Sequence, residues 1–312
     1  MKILFVDTIH PFLAETLRSN GFTCDEKYDL TYDTALKIIG RYDGLIIRSR
    51  FIVDMKMIDN AKNLKFIARA GSGMENINVL YAYEKAVVCI NSPEGNAGPV
   101  GEHALGMLLS LLHNISSSSE EVKNGIWKRK ENQTTEIQGM TVGLIGYGHT
   151  GPAFAQRLSG MGVKVLAYDK YRKKMPDKYA KASTTAEIQR KANVLSIHVP
   201  LTDETQSLVT DMYIAKFKNP FYLINTSRGE VIDNAALVRA LKSGKILGAC
   251  LDVIRYEDHT FNKLRTEMLD KDWHYLARAK NVILTPHIAG QSNESMKRHA
   301  EVLAEKIFIL KI

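Results

Sequence analysis

Short apolar runs alternate with amphipathic stretches along nearly the whole chain. In the first hundred residues the runs Ile3–Asp7, Phe22–Asp25, Gly44–Arg48, Leu64–Arg69 and Ala86–Asn91 read as strands, and the apolar positions between them recur at helical spacing over Pro11–Asn20, Asp33–Arg41, Asp54–Ala61 and Asn76–Glu84. Strands that are apolar without a break are covered on both faces, and their alternation with helices through short loops predicts a parallel sheet inside an α/β domain. The alternation returns after residue 140, with strands at 142–145, 163–168, 193–198, 221–225, 246–251 and 281–285. Between the two blocks, Asn91–Pro99 holds two prolines and two glycines in nine residues and predicts a break in regular structure, a hinge between domains. Val100–His113 is apolar on most faces (Val100, Ala104, Leu105, Met107, Leu108, Leu111, Leu112), so it needs more than one covering neighbour, as a domain-connecting or subunit-interface helix would have. The stretch Ser292–Ile309 carries Met296, Ala300, Leu303, Ala304 and Ile307 at helical spacing and is expected to pack back on the first domain. The reading is a discontinuous domain of residues 1–98 plus 288–312 and a second domain of 99–287.

Composition changes this picture little. A chain of 312 residues with 45% hydrophobic and 24% charged residues is an ordinary globular protein of about two domains. Met1-Lys2 runs straight into a short strand, which is not the pattern of a signal peptide, and no apolar run nears the roughly 18 residues of a membrane span. A cytoplasmic protein without a membrane partner is therefore expected. Cys24, Cys89 and Cys250 are scattered among apolar residues without metal-like spacing, so buried reduced thiols and no metal are expected. The formal charge of +8 raises nucleic acid as a partner, but the basic residues are spread and show no DNA-binding spacing; the charge also suits a small anionic substrate, and a solvated basic surface is commoner than either.

Candidate chemistry begins at residue 141. The strand Val142–Ile145 empties into Gly146-Tyr147-Gly148-His149-Thr150-Gly151, and a helical pattern follows with Phe154, Leu158 and Met161 inward. Gly146 permits a tight turn, Gly148 lets backbone approach a pyrophosphate, and Gly151 lets the helix pack on the strand, while the helix N-terminus offers free N–H groups to phosphate. The next strand ends in Asp169, eighteen positions after Gly151, where a carboxylate would hold the adenosine ribose. The pattern predicts a dinucleotide site in a doubly wound Rossmann domain. Later strands also end in polar or charged groups: His198-Val199-Pro200, Thr226-Ser227-Arg228, Asp252 with Glu257, and Thr285-Pro286-His287. A His, an Arg and a carboxylate gathered at one sheet edge supply a base, a cation for a substrate carboxylate and an acid to tune the base. Position selects His287 as that base, while His198 lines the cofactor or caps its strand. In the first domain the strand ends Arg48-Ser49-Arg50 and Arg69-Ala70-Gly71-Ser72-Gly73 offer guanidiniums and a glycine-rich turn able to hold an anion, though a surface ion pair is the commoner use of a strand-end arginine.

Eight motifs in order resemble the D-isomer-specific 2-hydroxyacid dehydrogenase family: Arg69–Asn78, Asn91–Asn96, Gly101-Glu-His103, Gly143–Gly151, His198–Thr202, Asn225–Asp233, Ala249–Val253 and Leu284–Gly290. The resemblance covers the whole chain and is nearest the D-3-phosphoglycerate dehydrogenase branch that lacks a regulatory domain. It implies two doubly wound parallel-sheet domains, a flavodoxin-like one for substrate and a Rossmann one for NAD, with the Rossmann domain forming a homodimer. It implies that Arg228 binds the substrate carboxylate and carbonyl, that His287 is the acid/base, and that Glu257 partners His287, stabilising the imidazolium and fixing its tautomer. It also implies that Asp252 touches the nicotinamide carboxamide, and that Arg48 and Arg69, with the amides around Ser72 and Gly73, stand on the substrate side of the cleft. Glu102-His103 is read as structural.

Asp169 favours NAD over NADP, because a carboxylate repels a 2′-phosphate, although Lys170 and Arg172 follow closely. Arg48, Arg50 and Arg69 favour D-3-phosphoglycerate over glyoxylate, hydroxypyruvate or D-lactate as the 2-hydroxyacid or 2-ketoacid, since a phosphate needs such cations. The stretch from Glu257 to His287 is longer than the family pattern and lacks its Glu-Pro-Leu, so Asp258 and Glu267 stand as alternative partners of the histidine. A reading of another class, an NAD-sensing binding protein or corepressor, is set against the lack of a disordered tail after the last helix.

Overall fold

A computed structural model describes residues 1–172, 174–175, 177–258, 260–261 and 263–310. The chain forms two compact units, the smaller from residues 1–97, 258–263 and 291–312 and the larger from 98–257 and 264–290.

In the smaller unit β1 (Lys2–Phe5), β2 (Thr23–Glu26), β3 (Gly44–Ile47), β4 (Phe66–Arg69) and β5 (Val88–Asn91) lie in the order β2-β1-β3-β4-β5, all neighbours parallel. This is the flavodoxin-like order. Ile3, Leu4, Phe5, Ile46, Ile47, Phe66 and Ile67 are buried whichever face they point to, which is why these strands are apolar without alternation. The helix Asn293–Ile309 belongs to this unit and sets Ala300, Leu303, Ala304 and Ile307 against Ile3, Phe5, Leu13 and Leu17. Met296, expected inward, is instead exposed, because Ser295 takes the buried place in that first turn and closes a capping box with Ser292.

The larger unit holds β6 (Thr141–Ile145), β7 (Lys164–Tyr168), β8 (Lys181–Ala182), β9 (Val194–Ile197), β10 (Phe221–Asn225), β11 (Ile246–Leu251) and β12 (Val282–Leu284), in the parallel order β12-β11-β10-β9-β6-β7-β8. Six of these strands reproduce the doubly wound dinucleotide order, whose switch point lies between β6 and β9, and β12 extends it. The short β8 escapes sequence reading because both of its residues are exposed and no apolar run marks them.

The expected break at Asn91–Pro99 is overturned: a single helix runs over Pro93–Leu112. Pro93 opens it, where a missing N–H is harmless. Pro99 sits inside and leaves the Gly95 carbonyl without its helical donor, a place taken by Arg298 Nε at 3.3 Å. Further along, Ala104, Met107, Leu108, Leu111 and Leu112 are buried with Leu144, Phe154 and Leu158 in the core of the larger unit.

The larger unit buries His198 and the smaller unit half-buries His299, both neutral at pH 7. His198 meets Thr150 Oγ1 at 3.1 Å and Ser196 Oγ at 2.9 Å, and burial pushes it down to about 4. His299 meets Ser92 Oγ at 2.8 Å and is likewise pushed down to about 4, chiefly by burial. Above about pH 6.5 both are neutral in either state and cost nothing; as pH falls from there towards 4 the unfolded chain takes up protons that the fold refuses, so stability drops by about 1.4 kcal/mol per pH unit for each. Unfolding free energies from urea titrations between pH 7 and 4.5 are expected to fall with that slope, and flat ones would mean that these imidazoles protonate within the fold.

Candidate active site

The glycine loop after β6 has the geometry its sequence asks for. Gly146 has φ +92°, and a Cβ there would stand 2.4 Å from the His198 carbonyl oxygen. A Cβ on Gly151 would stand 2.5 Å from the Gly146 carbonyl oxygen, so the loop closes backbone to backbone, whereas one on Gly148 meets nothing within 4 Å and leaves room for a ligand's phosphates. The helix Thr150–Leu158 points its N-terminus at that space, with His149 exposed at its start. Tyr147 turns inward: its ring is buried, its hydroxyl donates to Asp177 Oδ1 at 2.9 Å, and only its backbone faces the loop. Asp169, at the end of β7, accepts from the N–H of Tyr147 at 2.7 Å and from the N–H groups of Tyr171 and Arg172 at 2.9 and 3.2 Å. Val199 and Pro200 follow β9 beside the loop, where a Cβ on Gly146 would meet Val199 Cγ1 at 3.0 Å. Thr226 adds a buried hydroxyl with no partner among the described residues. An open glycine, a helix N-terminus and an orphaned hydroxyl are the cradle that a dinucleotide fits.

Arg228 stands beyond β10 on a loop drawn tight by Asn225. The Asn225 side chain, fully buried, donates to the Arg228 carbonyl at 2.8 Å and accepts from the Ser227 N–H and hydroxyl at 3.0 and 2.9 Å. Sequence reading placed Asn225 in the strand-end motif without giving it a role, though an asparagine ending a buried strand before a polar turn is the mark of a side-chain-built turn. Gly229 then packs on the next loop so closely that a Cβ would stand 2.1 Å from the Ile254 carbonyl carbon and 2.3 Å from Arg255 N. Gly229→Ala is therefore expected to destabilise the protein by about 1–3 kcal/mol or more, with the loss read from urea unfolding; wild-type stability would show that the two loops can part.

The loop on which Gly229 rests carries Glu257, whose Oε2 lies 2.6 Å from His287 Nδ1, while Oε1 accepts from Ile254 N–H at 2.6 Å. Asp258 instead accepts from Thr260 within its own turn, and Glu267 is exposed on a short 3-10 turn. The imidazole thus meets Glu257 through Nδ1. His287 has φ +54°, the left-handed region that a side chain occupies at a cost of about 1–3 kcal/mol. Asp252, 1% exposed, turns its carboxylate towards the same segment, accepting from the Thr285 hydroxyl at 2.6 Å and from the N–H groups of Ile288 and Ala289 at 2.9 Å each.

In the smaller unit the strand-end arginines differ in their surroundings. Arg69, 6% exposed, donates from Nε to the Arg48 carbonyl at 3.1 Å and from Nη1 to the Gly73 carbonyl at 2.6 Å, so it ties two strand-end loops together. Arg50 Nε lies 3.5 Å from Asp7, and the other oxygen of Asp7 gathers the N–H groups of Arg48, Ser49 and Arg50 at 2.6, 3.0 and 3.1 Å. The Ser72 carbonyl accepts from Asn91 Nδ2 at 2.5 Å. Among the described residues the Arg48 guanidinium and the N–H groups of Ser72 and Gly73 have no partner within the chain.

The model of the D-isomer specific 2-hydroxyacid dehydrogenase NAD-binding domain matches residues 105–289. A hydroxypyruvate reductase of Thermotoga maritima is 37% identical over 281 residues, 89% of this chain and 88% of that protein. A D-3-phosphoglycerate dehydrogenase of Archaeoglobus fulgidus is 31% identical over 309 residues, 98% of this chain but only 56% of that protein, so this chain spans little more than half of it. The crystal structure of D-lactate dehydrogenase with NAD+ from Lactobacillus jensenii superposes with a TM-score of 0.80 at 27% identity, covering 99% of this chain and 97% of that one. The cofactor site is that of a nicotinamide dinucleotide. Because the matched stretch carries the glycine loop, Arg228 and His287 alike, and the similarity to the reductase runs through nearly all of both proteins, the chain belongs to the D-isomer-specific 2-hydroxyacid dehydrogenase family.

Proposed function

We propose that the protein is an NAD-dependent reductase of small 2-ketoacids, interconverting hydroxypyruvate or glyoxylate and the corresponding 2-hydroxyacid. The observation that carries the chemistry is the 2.6 Å contact between His287 Nδ1 and Glu257, which sets a carboxylate against the imidazole that is to exchange the proton of the C2 oxygen. Arg228 holds the substrate carboxylate through its fork of N–H groups and polarises the C2 oxygen. When bound, the nicotinamide supplies the acceptor or donor of hydride. In reduction His287 begins protonated and gives its proton to the oxygen; in oxidation it takes the hydroxyl proton, and Glu257 stabilises the imidazolium that results. Reduction is therefore favoured at lower pH and oxidation at higher pH.

The choice of a small substrate follows from the smaller unit. Three arginines would suit a phosphate, yet Arg69 holds backbone carbonyls and Arg50 faces Asp7. The similarity to a hydroxypyruvate reductase of nearly equal length supports the same choice. A second reading, D-3-phosphoglycerate oxidised to 3-phosphohydroxypyruvate, is favoured by the unpartnered Arg48 guanidinium and the amides of Ser72 and Gly73, which together could take a second anion. NAD over NADP is supported by Asp169, and Glu204 holds Lys170 Nζ at 2.5 and 2.7 Å. Exposed Ile115, Val122, Ile126 and Trp127 in the larger unit support a homodimer, which sedimentation would test.

The deciding experiment follows absorbance of the reduced nicotinamide with purified protein, offering hydroxypyruvate and glyoxylate with NADH or NADPH, and D-3-phosphoglycerate with NAD. Turnover of the ketoacids with NADH is expected. Turnover of phosphoglycerate alone would move the second reading to the front, and no turnover with any pair would favour a dinucleotide-sensing binding protein.

A further inference from the structure

The segment that presents His287 is held from behind by a chain of polar groups that proton transfer itself does not use. His287 N–H donates to the Asp252 carbonyl at 2.8 Å and to the Thr285 carbonyl at 3.0 Å, and the next two N–H groups end on the Asp252 carboxylate. On the far side of that carboxylate stands His103, from the helix Pro93–Leu112. Its Nε2 lies 3.0 Å from Thr285 Oγ1 and 3.5 Å from Asp252 Oδ1. An inventory of protons gives the direction of each bond. Ionised Asp252 can only accept. Thr285 has one hydroxyl proton, and the carboxylate oxygen at 2.6 Å is a far better acceptor than Met107 Sδ at 3.8 Å. The hydroxyl must then accept from His103, which places a proton on Nε2 of that ring. The donors run in series from His103 to Thr285 to Asp252, and the series ends on the carboxylate that orders Ile288 and Ala289 next to a strained His287.

We infer that His103 is a positioning residue for the acid/base step: through Thr285 and Asp252 it fixes the backbone that aims His287, without touching the substrate. The inference rests on the reading of His287 as acid/base. It is carried by the buried anion, which needs its donors, and by the positive φ of His287, which persists only where its surroundings impose it. A displacement of about 1 Å at a reacting group can lower turnover about a hundredfold.

The test compares His103→Leu, which fills the space without a donor, with His103→Gln, whose amide can donate from nearly the same place. With hydroxypyruvate or whichever substrate is turned over, His103→Leu is expected to lower kcat roughly 10- to 100-fold while KM for NADH moves little, and His103→Gln is expected to recover most of the loss. Thr285→Val should cut the same chain, so the double variant His103→Leu/Thr285→Val should be no slower than the slower single variant. A folded His103→Leu protein with wild-type kcat, a His103→Gln protein as slow as His103→Leu, or losses that simply add would each overturn the inference. If neither His103 variant folds, Thr285→Ser against Thr285→Val carries the comparison, since serine keeps the hydroxyl; equal activity of those two would overturn it as well. His287→Gln is assayed alongside: near wild-type turnover there sinks the reading of the site, whereas its loss beside an unaffected His103→Leu sinks only the present inference.

Discussion

Replacing His287 with alanine is expected to lower turnover by roughly two to four orders of magnitude in either direction, the contribution that a positioned acid/base makes to proton transfer. Without an imidazole the C2 oxygen must leave or arrive as an alkoxide, while binding of NADH, which the glycine loop governs, stays nearly unchanged. The backbone supplies a control that separates chemistry from folding. His287 stands at φ +54°, where glycine is at ease and other residues are strained, so His287→Gly removes the side chain and relieves the strain together. The glycine variant is expected to be as inactive as the alanine variant and thermally more stable than it. Steady-state rates with a thermal melt of each variant check both statements, and turnover within tenfold of wild type in either would take the role away from His287. In the wild-type protein ketoacid reduction should be slower at high pH than at low pH, because the step consumes a proton, and the residual rate of the alanine variant should depend on pH less.

Arg228→Lys is expected to be the second large loss, about a hundred- to a thousandfold in kcat/KM, in the range seen when one fixed donor to a developing oxyanion is removed. Lysine keeps the charge but presents a point where the guanidinium presents a fork, and it cannot serve carboxylate and C2 oxygen together. The loss should fall on kcat as well as KM, because polarisation of the carbonyl grows towards the transition state. A rise in KM with unchanged kcat would reduce Arg228 to a binding residue. Combined with His287→Ala, the second substitution should cost much less than it does alone, as expected of groups that act as one unit.

Elements whose cause is local were legible before any fold was known. The glycine loop is one: turn, open approach and close packing are each imposed within a few residues, and Gly146, Gly148 and Gly151 meet those demands as their spacing suggested. The parallel sheets are another, since burial on both faces writes itself into unbroken apolar runs. The reading failed where a distant residue compensates for a local defect. Two prolines and two glycines argued for a hinge, and a helix runs through them, with Arg298 supplying the donor that Pro99 lacks. The arginines expected to wait for a phosphate turned out to differ: Arg69 and Arg50 have partners inside the unit and Arg48 has none within the described residues.

What the amino-acid order determined by itself is thus the class of fold, the dinucleotide loop and the strand ends where chemistry gathers, because backbone sterics and burial act over a turn or a strand. Only the tertiary structure decided which of Glu257, Asp258 and Glu267 faces His287, and it did so by folding the segment back so that Glu257 bridges Leu264. It also decided that Asp252 orders the turn around His287, and that His103, from a helix nearly two hundred residues earlier, stands behind it. A hydrogen bond needs its partners within about 3 Å and says nothing about their separation along the chain, so neither spacing nor periodicity could have announced it.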